Sequence, residues 1–183
     1  PALSTLGSKK WKNEVRKAKE SAREVVYEIF ALYSKKTRKR GFVYEKENDL
    51  DGVLASSFSF LETPDQKKAF QDVFKDMNSD IPMDRLISGD VGFGKTEVAI
   101  RAMFKAYLSN KVSILLCPTT ILADQHFITC KERLSQLGVS ISLLSRFKSR
   151  KEQLQTLAML ENGKIDVLIG THRLLSEDVK FVN

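Results

Sequence analysis

The sequence predicts an α/β fold, in which a glycine-rich loop leads into a parallel sheet covered by helices and a long basic helix comes first. Three observations support this prediction. Residues 89–96 read GDVGFGKT and match the pattern G-x-x-x-x-G-K-[ST] at all four fixed positions. Short apolar runs alternate with helical periodicity from residue 112 to residue 169, as in a parallel sheet with crossover helices. Residues 8–39 carry the apolar repeat of one long helix.

The long helix is predicted over residues 8–39 because apolar residues recur at alternating spacings of four and three. They are Trp11, Val15, Ala18, Ala22, Val25, Ile29 and Leu32. Such a seam packs on a partner, which is either the adjacent domain or another helix. The exit KKTRKRG places cations at the helix C-terminus and predicts a stop at Gly41. We therefore divide the chain into a basic linker helix, residues 1–44, and a second domain, residues 45–183.

Charge is concentrated in the first part of the chain. Residues 1–41 contain 12 Lys or Arg and 4 Glu, whereas the rest of the chain is close to neutral. A basic helix of this kind can bind phosphates, can bind an acidic protein surface, or can simply expose its charged face to solvent. Charge alone does not distinguish these three interpretations.

Composition excludes several classes of protein. The chain is 42% hydrophobic and 29% charged, as in ordinary soluble domains, and no apolar run approaches the roughly 20 residues of a membrane span. Cys117 and Cys130 fall in a predicted strand and helix without metal-ligand spacing, so we expect buried, reduced thiols and a cytoplasmic location. The sequence begins with Pro1 instead of Met, which indicates a piece of a longer polypeptide.

A helix start is predicted after a connector over residues 42–57 that contains at most one short helix. Thr63 is the expected N-cap, Pro64 the first helical residue, and Gln66 the residue that closes a capping box. That role explains these residues by itself. A second role is possible, because a glutamine with an aromatic residue such as Phe60 before it can read an adenine edge while the ring stacks on the base.

The loop at residues 89–96 has the flanks that its pattern requires. Residues 85–88 (RLIS) are of strand type, and residues 97–108 have helical spacing. Gly89, Gly92 and Gly94 allow backbone N–H groups to point inward at phosphates, and the helix N-terminus adds partial positive charge. Lys95 is then placed to reach the β and γ phosphates, and the Thr96 hydroxyl to ligate Mg²⁺.

The remaining elements follow in alternation. Strands are predicted over 112–117, 139–144 and 165–169, and helices over 121–137 and 151–161. Ligands of such sheets bind beyond the carboxyl ends of the strands. The loops leaving these ends, PTT at 118–120 and GTHR at 170–173, are rich in hydroxyl groups, with Arg146 and Lys148 after the intervening strand; such groups hold phosphates without reading bases.

Each of these loop residues also has a plainer explanation. Thr119 and Thr120 could simply cap the helix that follows, and His172 could be a structural loop residue. A catalytic histidine is not expected, because His126 and His172 lie far apart in sequence and no Ser or Cys elbow accompanies them.

Taken together, the motifs TPDQ, GDVGFGKTEVA, PTTILADQH, SRF and IGTHRLL, in this order and spacing, resemble the first motor domain of superfamily 2 helicases. Within them, the phosphate loop and the THRLL and DVKF stretches are more similar to the transcription-repair coupling factors than to the RecG branched-DNA helicases. The resemblance covers roughly residues 58–183 and implies part of a RecA-like P-loop domain. The N-terminal helix resembles the one that, in that family, links a polymerase-interacting domain to the motor.

The resemblance implies site residues by position. Lys95 and Thr96 would serve catalysis, with Thr96 on Mg²⁺. The ATP site would comprise Phe60, Gln66, Gly89, Asp90, Val91, Gly92, Phe93, Gly94, Lys95 and Thr96. The DNA contacts would comprise Pro118, Thr119, Thr120, Gln125, Ser145, Arg146, Gly170, Thr171 and His172.

The implied activity is ATP-driven translocation on double-stranded DNA that displaces stalled RNA polymerase and couples transcription to excision repair. The whole protein would bind RNA polymerase and repair proteins through domains outside this chain, and no membrane would be involved. The acidic Asp-Glu pair of the family would fall after Asn183, so we expect the 183-residue chain to bind nucleotide weakly without hydrolysing it. The alternatives are a RecG-like branched-DNA helicase, a P-loop kinase or unrelated ATPase, and a non-catalytic interaction module switched by nucleotide.

Overall fold

The chain forms two units in a computed structural model that describes residues 8–36, 43–44 and 49–181. One unit is Pro1–Gly41 with Asp80–Pro82, and the other is Phe42–Ser79 with Met83–Asn183. The division of the chain into domains at residue 44 stays a prediction.

The first unit contains helix α1, Lys9–Lys36. Ser8 begins it, since the Ser8 hydroxyl accepts a hydrogen bond from the Trp11 amide at 3.1 Å. The predicted helix is confirmed as far as Lys36, whereas its expected last turn and the stop at Gly41 lie outside the described residues. The apolar seam is largely exposed along α1, with Val25 at 50% and Ile29 at 46%.

The second unit contains five helices and three strands among its described residues. The helices are α2 Asp49–Ser56, α3 Pro64–Met77, α4 Lys95–Leu108, α5 Thr120–Leu134 and α6 Arg150–Glu161. The strands are β1 Ser113–Leu116, β2 Ile141–Leu144 and β3 Val167–Gly170, and short 3-10 helices cover Ser135–Leu137 and His172–Leu175. These bounds confirm the predicted alternation and the short helix in the connector.

The sheet is parallel, with strand order β1-β3-β2. Its register aligns Leu116, Gly170 and Leu144 in one row at the carboxyl ends. The parallel pairing confirms the predicted α/β class, because parallel strands need helical crossovers and both faces of the sheet are then covered.

The core has two layers because side chains alternate across β3. Val167 and Ile169 face a cluster with α4 and α5, whereas Leu168 faces one that contains Leu157 and Leu160 of α6. All three β3 residues are fully buried. A third cluster packs α3 on α4. The helix that follows the glycine-rich loop is therefore held on two sides.

The strand predicted at residues 85–88 is wrong. Arg85–Ser88 forms no part of the sheet, and no strand among the described residues pairs with it. Leu86 is 90% exposed. The segment is fixed instead by Arg85, whose guanidinium donates to Asp76 at 2.6 Å on α3. A strand needs a hydrogen-bonding neighbour, and local sequence does not supply one.

Both cysteines are buried and free, as predicted. Burial raises the pKa of the Cys130 thiol to about 12. Within the described part of the chain, none of the helices combines the length and the apolar character that crossing a membrane requires.

Candidate nucleotide site and phosphate-binding cleft

The phosphate loop, residues 89–96, is built by glycines in conformations that other residues avoid. Gly92 has φ +84° and Gly94 φ +75°, both in the left-handed region. Gly94 is the N-cap of α4, and Lys95 is its first residue. The Lys95 ammonium folds back over the loop and donates to the carbonyl oxygens of Gly89, at 2.6 Å, and Asp90, at 2.5 Å. The loop thus places an ammonium group directly over its own backbone.

The N-terminus of α4 differs from those of three neighbouring helices. Thr63, Thr119 and Ser149 each cap a helix by accepting a backbone N–H, whereas α4 has no side-chain cap. The first N–H groups of α4 therefore remain suited to an anion from outside the chain. Together with Lys95 and the Thr96 hydroxyl, this donor set fits a nucleoside triphosphate with Mg²⁺. Among the described residues, no group of three or more His, Cys, Asp or Glu could hold a metal ion.

Gln66 connects the capping box to the phosphate loop. The predicted box is present, since Thr63 Oγ1 accepts from the Gln66 amide and Gln66 Oε1 accepts from the Thr63 amide at 2.9 Å. Its Nε2 donates to the Phe93 carbonyl at 3.1 Å. A Cβ on Gly94 would lie 2.8 Å from that nitrogen, so a larger residue would displace the Gln66 amide, while the φ of +75° is what favours glycine at this position. The capping role predicted for Gln66 is confirmed, and the hydrogen bond to Phe93 places its amide against the phosphate loop.

Two cavities adjoin the loop. One, of about 390 Å³, lies against Gln66, Gly89, Asp90, Phe93 and Lys95. The other, of about 240 Å³, is lined by residues that include Phe58, Phe60, Gly94 and Thr96. Phe60 is 74% exposed, as a ring that stacks on a ligand must be, and Val91 at the loop tip is 97% exposed.

A separate cleft of about 480 Å³ opens at the carboxyl edge of the sheet. It brings together six of the residues predicted to contact DNA. It adds Arg173, which lies in the predicted 170–173 loop but was not predicted as a contact, and Ser176, which the sequence did not indicate. The predicted six are Pro118, Thr119, Thr120, Arg146, Thr171 and His172. We call these eight residues the sheet-edge cleft. Hydroxyls, an imidazole and the Arg146 guanidinium form a set suited to phosphate oxygens.

Three predicted contact residues do not line the sheet-edge cleft. Gln125 is exposed on α5, and Ser145 is only 2% exposed immediately after β2. Gly170 is buried in β3, where a Cβ would lie 2.2 Å from the Leu144 carbonyl oxygen. Gly170 thus lets neighbouring strands approach. Thr119 both lines the cleft and caps α5, its Oγ1 accepting from the Leu122 amide at 3.2 Å, so the plainer explanation also holds for Thr119.

Arg173 organises the loop on one side of the sheet-edge cleft. Its two terminal nitrogens donate to the Asp178 carboxylate at 2.7 and 2.6 Å, and its Nε donates to Gln153 at 3.0 Å. The hydrogen bond from Arg173 lowers the pKa of Asp178. A bidentate pair fixes a guanidinium plane. In the sequence, the signal for this ion pair was Asp178, which follows Arg173 of the THR triplet by five residues.

The sequence matches the family described as DEAD/DEAH box helicase over residues 63–182, about two thirds of the chain. The chain belongs to the DEAD/DEAH box helicase family. The matched span of this helicase chain includes both the phosphate loop and the sheet-edge cleft.

Individual relatives agree with the family. This helicase chain is 44% identical over 181 residues to the transcription-repair-coupling factor of Bacillus subtilis (strain 168), and 45% identical over 179 residues to that of Escherichia coli (strain K12). Those matches cover 99% and 98% of the chain but only 15% and 16% of the relatives. A solved structure of RecG bound to a three-way DNA junction is similar with a TM-score of 0.75 and 36% identity, over 84% of this chain and 21% of that one. The fold is thus part of a helicase motor domain.

Proposed function

We propose that the chain supplies the ATP-binding part of the first motor domain of a double-stranded DNA translocase of the transcription-repair coupling type. One observation carries the proposal: a single unit holds both a phosphate loop with its own lysine and a second phosphate-suited cleft at the sheet edge. The identity of 44% with a transcription-repair-coupling factor supports the choice of this type within the helicases.

At the nucleotide site, the residues of this chain would bind ATP and orient its phosphates and its base. The uncapped N–H groups of α4 and the Lys95 ammonium would hold the phosphates, which requires Lys95 to exchange its two loop carbonyls for phosphate oxygens. The Thr96 hydroxyl would hold Mg²⁺, and that ion supplies neutralisation of phosphate charge when bound. Phe60 and Gln66 would take the adenine, by stacking and by hydrogen bonds to its edge.

At the other end, the sheet-edge cleft would follow a DNA backbone. Threonine hydroxyls and the Arg146 guanidinium contact phosphates of any sequence, because the backbone presents the same oxygens at every step. A motor that moves past all sequences needs contacts of this kind. Displacement of a stalled RNA polymerase, recruitment of excision-repair proteins and a cytoplasmic location belong to the proposal for the whole protein, of which this chain covers a part.

The test is Lys95→Ala in the full-length protein, with Lys151→Ala on the exposed side of α6 as the matched control. We expect Lys95→Ala to abolish ATP binding and polymerase displacement and to keep the fold by circular dichroism, while Lys151→Ala behaves as the parent. A Lys95→Ala protein that still displaces polymerase would refute the motor and favour a nucleotide-switched interaction module.

A second candidate, a branched-DNA helicase, is favoured by the similarity to the RecG structure. The two differ in substrate: one moves on duplex DNA against a polymerase, and the other unwinds junctions. ATP-dependent unwinding of a three-way junction without polymerase displacement would select the second candidate.

The isolated 183-residue chain is expected to bind nucleotide without turning it over. Attack on the γ-phosphate needs a metal, an acid that orients water and charge neutralisation together, and we assign to the described residues of this chain the phosphate-loop part of that set. DNA-stimulated phosphate release by the purified chain would contradict this expectation.

A further inference from the structure

A buried charge cluster lies beside the phosphate loop, at the start of α4. Glu97 follows Thr96 directly and is only 5% exposed. Its Oε1 accepts from Arg101 Nε at 3.0 Å and from an Nη of Arg133 on α5 at 2.8 Å. One carboxylate oxygen thus joins the first turns of α4 to α5.

Both arginines also contact the same stretch of chain, residues 54–62. Arg133 donates to the Ser57 hydroxyl at 2.5 Å and to the Leu54 carbonyl at 3.3 Å. Arg101 forms an ion pair with Glu62 at 2.6 Å. Residues 57–62, which we call the strap, contain no regular helix or strand. Its two ends are therefore fastened by two guanidinium groups that share Glu97.

The aromatic residues of the strap depend on these fastenings. The guanidinium carbons of Arg101 and Arg133 lie 5.8 and 5.7 Å from the centroid of the Phe58 ring. Phe60 meets Phe58 edge to face, with centroids 5.5 Å apart. Phe60 itself is exposed and contributes to the wall of the 240 Å³ cavity next to Gly94. The position of the Phe60 ring is thus set through Phe58 and the two arginines.

We propose that Glu97 is a positioning residue for the base of the nucleotide: through Arg101 and Arg133 it holds the strap so that Phe60 forms one wall of the base pocket. The proposal rests on the function proposed above, since it assigns the half of that site that receives the base. Replacing a buried ion cluster by apolar residues is often neutral or favourable for stability, so stability alone is a weak reason for three converging charges. Glu97 also links this wall to the helix turn that carries Lys95 and Thr96.

The experiment compares two ligands in the full-length protein, ATP and inorganic tripolyphosphate, by calorimetry. Tripolyphosphate has the phosphates but no base. For Glu97→Gln and Glu62→Gln we expect ATP affinity to fall roughly tenfold and tripolyphosphate affinity to stay within about twofold. A purely structural role would weaken both ligands together, or neither.

Two further variants keep the test decisive. Ser57→Ala removes one fastening of the strap and leaves every charge paired, so it should show the same ATP-only loss, at smaller size, if Glu97→Gln does not fold. Glu20→Gln is the matched control, because it removes the carboxylate of an Arg–Glu pair on α1, and both affinities should stay unchanged.

The outcomes separate the two proposals. Equal losses for ATP and tripolyphosphate, or unchanged ATP affinity in folded Glu62→Gln and Ser57→Ala proteins, would overturn the role of the strap. Lys95→Ala should lose both ligands. If it loses neither, the proposed function itself fails, whatever the strap variants do.

Discussion

Replacing Gly170 with alanine is expected to strain the centre of the sheet. Gly170 ends β3, the middle strand, and a Cβ there would lie 2.2 Å from the Leu144 carbonyl oxygen on β2. The Leu174 side chain is also close, at 3.0 and 3.1 Å. A side chain could rotate away, whereas a backbone oxygen in a paired strand cannot, so the two strands must separate locally.

The cost follows from overpacking. Extra methyl groups in a packed core lower the free energy of unfolding by about 1–3 kcal/mol. For Gly170→Ala we expect a value towards the upper end of that range, because the clash is with a backbone atom. At roughly 2–4 °C per kcal/mol for a chain of this size, the melting temperature should fall by several degrees. Thermal unfolding followed by circular dichroism measures the change directly.

Gly52→Ala is the matched control because it makes the same change without a clash. No atom lies within 4 Å of a Cβ at Gly52, and its φ is outside the left-handed region. Inside helix α2, alanine is favoured over glycine by about 0.5–1 kcal/mol, so Gly52→Ala should raise the melting temperature slightly. A Gly170→Ala protein as stable as its parent would refute the close-approach argument.

Three further outcomes are expected. Thr63→Ala should cost about 1 kcal/mol in urea unfolding, because α3 loses its N-cap, while Thr63→Ser should cost little. Cys117 and Cys130 should resist iodoacetamide in the folded protein and react on unfolding, because burial raises both thiol pKa values and the thiolate is the reactive form. The hydrogen bond from Arg85 lowers the pKa of Asp76, so this carboxylate adds stability above its unfolded pKa, and the contribution is lost as pH falls through the lower folded value. Asp76→Asn should therefore flatten the acid side of a urea-midpoint profile, and an unchanged profile would contradict that assignment.

Local signals in the sequence predicted local structure well. The Thr63–Gln66 capping box depends on residues three apart, and the structure shows both of its hydrogen bonds. The same signature at Ser149 and Glu152 would have placed the start of α6 at Arg150, one residue before the predicted start. Helices and their caps are predictable because the interacting residues are neighbours in sequence.

What depends on distant residues could not be predicted in the same way. Residues 85–88 have the composition of a strand, but pairing is decided by a neighbour elsewhere in the chain. Glu97 meets Arg133 across 36 residues, and Arg133 meets Ser57 across 76. Only the Glu97–Arg101 spacing of four carried a local hint of the cluster. Six of the eight residues of the sheet-edge cleft were predicted as contacts, because parallel strands deliver their following loops to one edge.

The strand order has a geometrical consequence for anything elongated that lies across that edge. Since Leu116, Gly170 and Leu144 are level, the three exits stand side by side at intervals of about 4.8 Å, with the turn after β3 between the other two. A ligand crossing from β1 to β2 passes Thr171 and His172 whichever way it runs. Changes at this central turn should disturb contacts on both sides, whereas changes at an outer exit should disturb only its own.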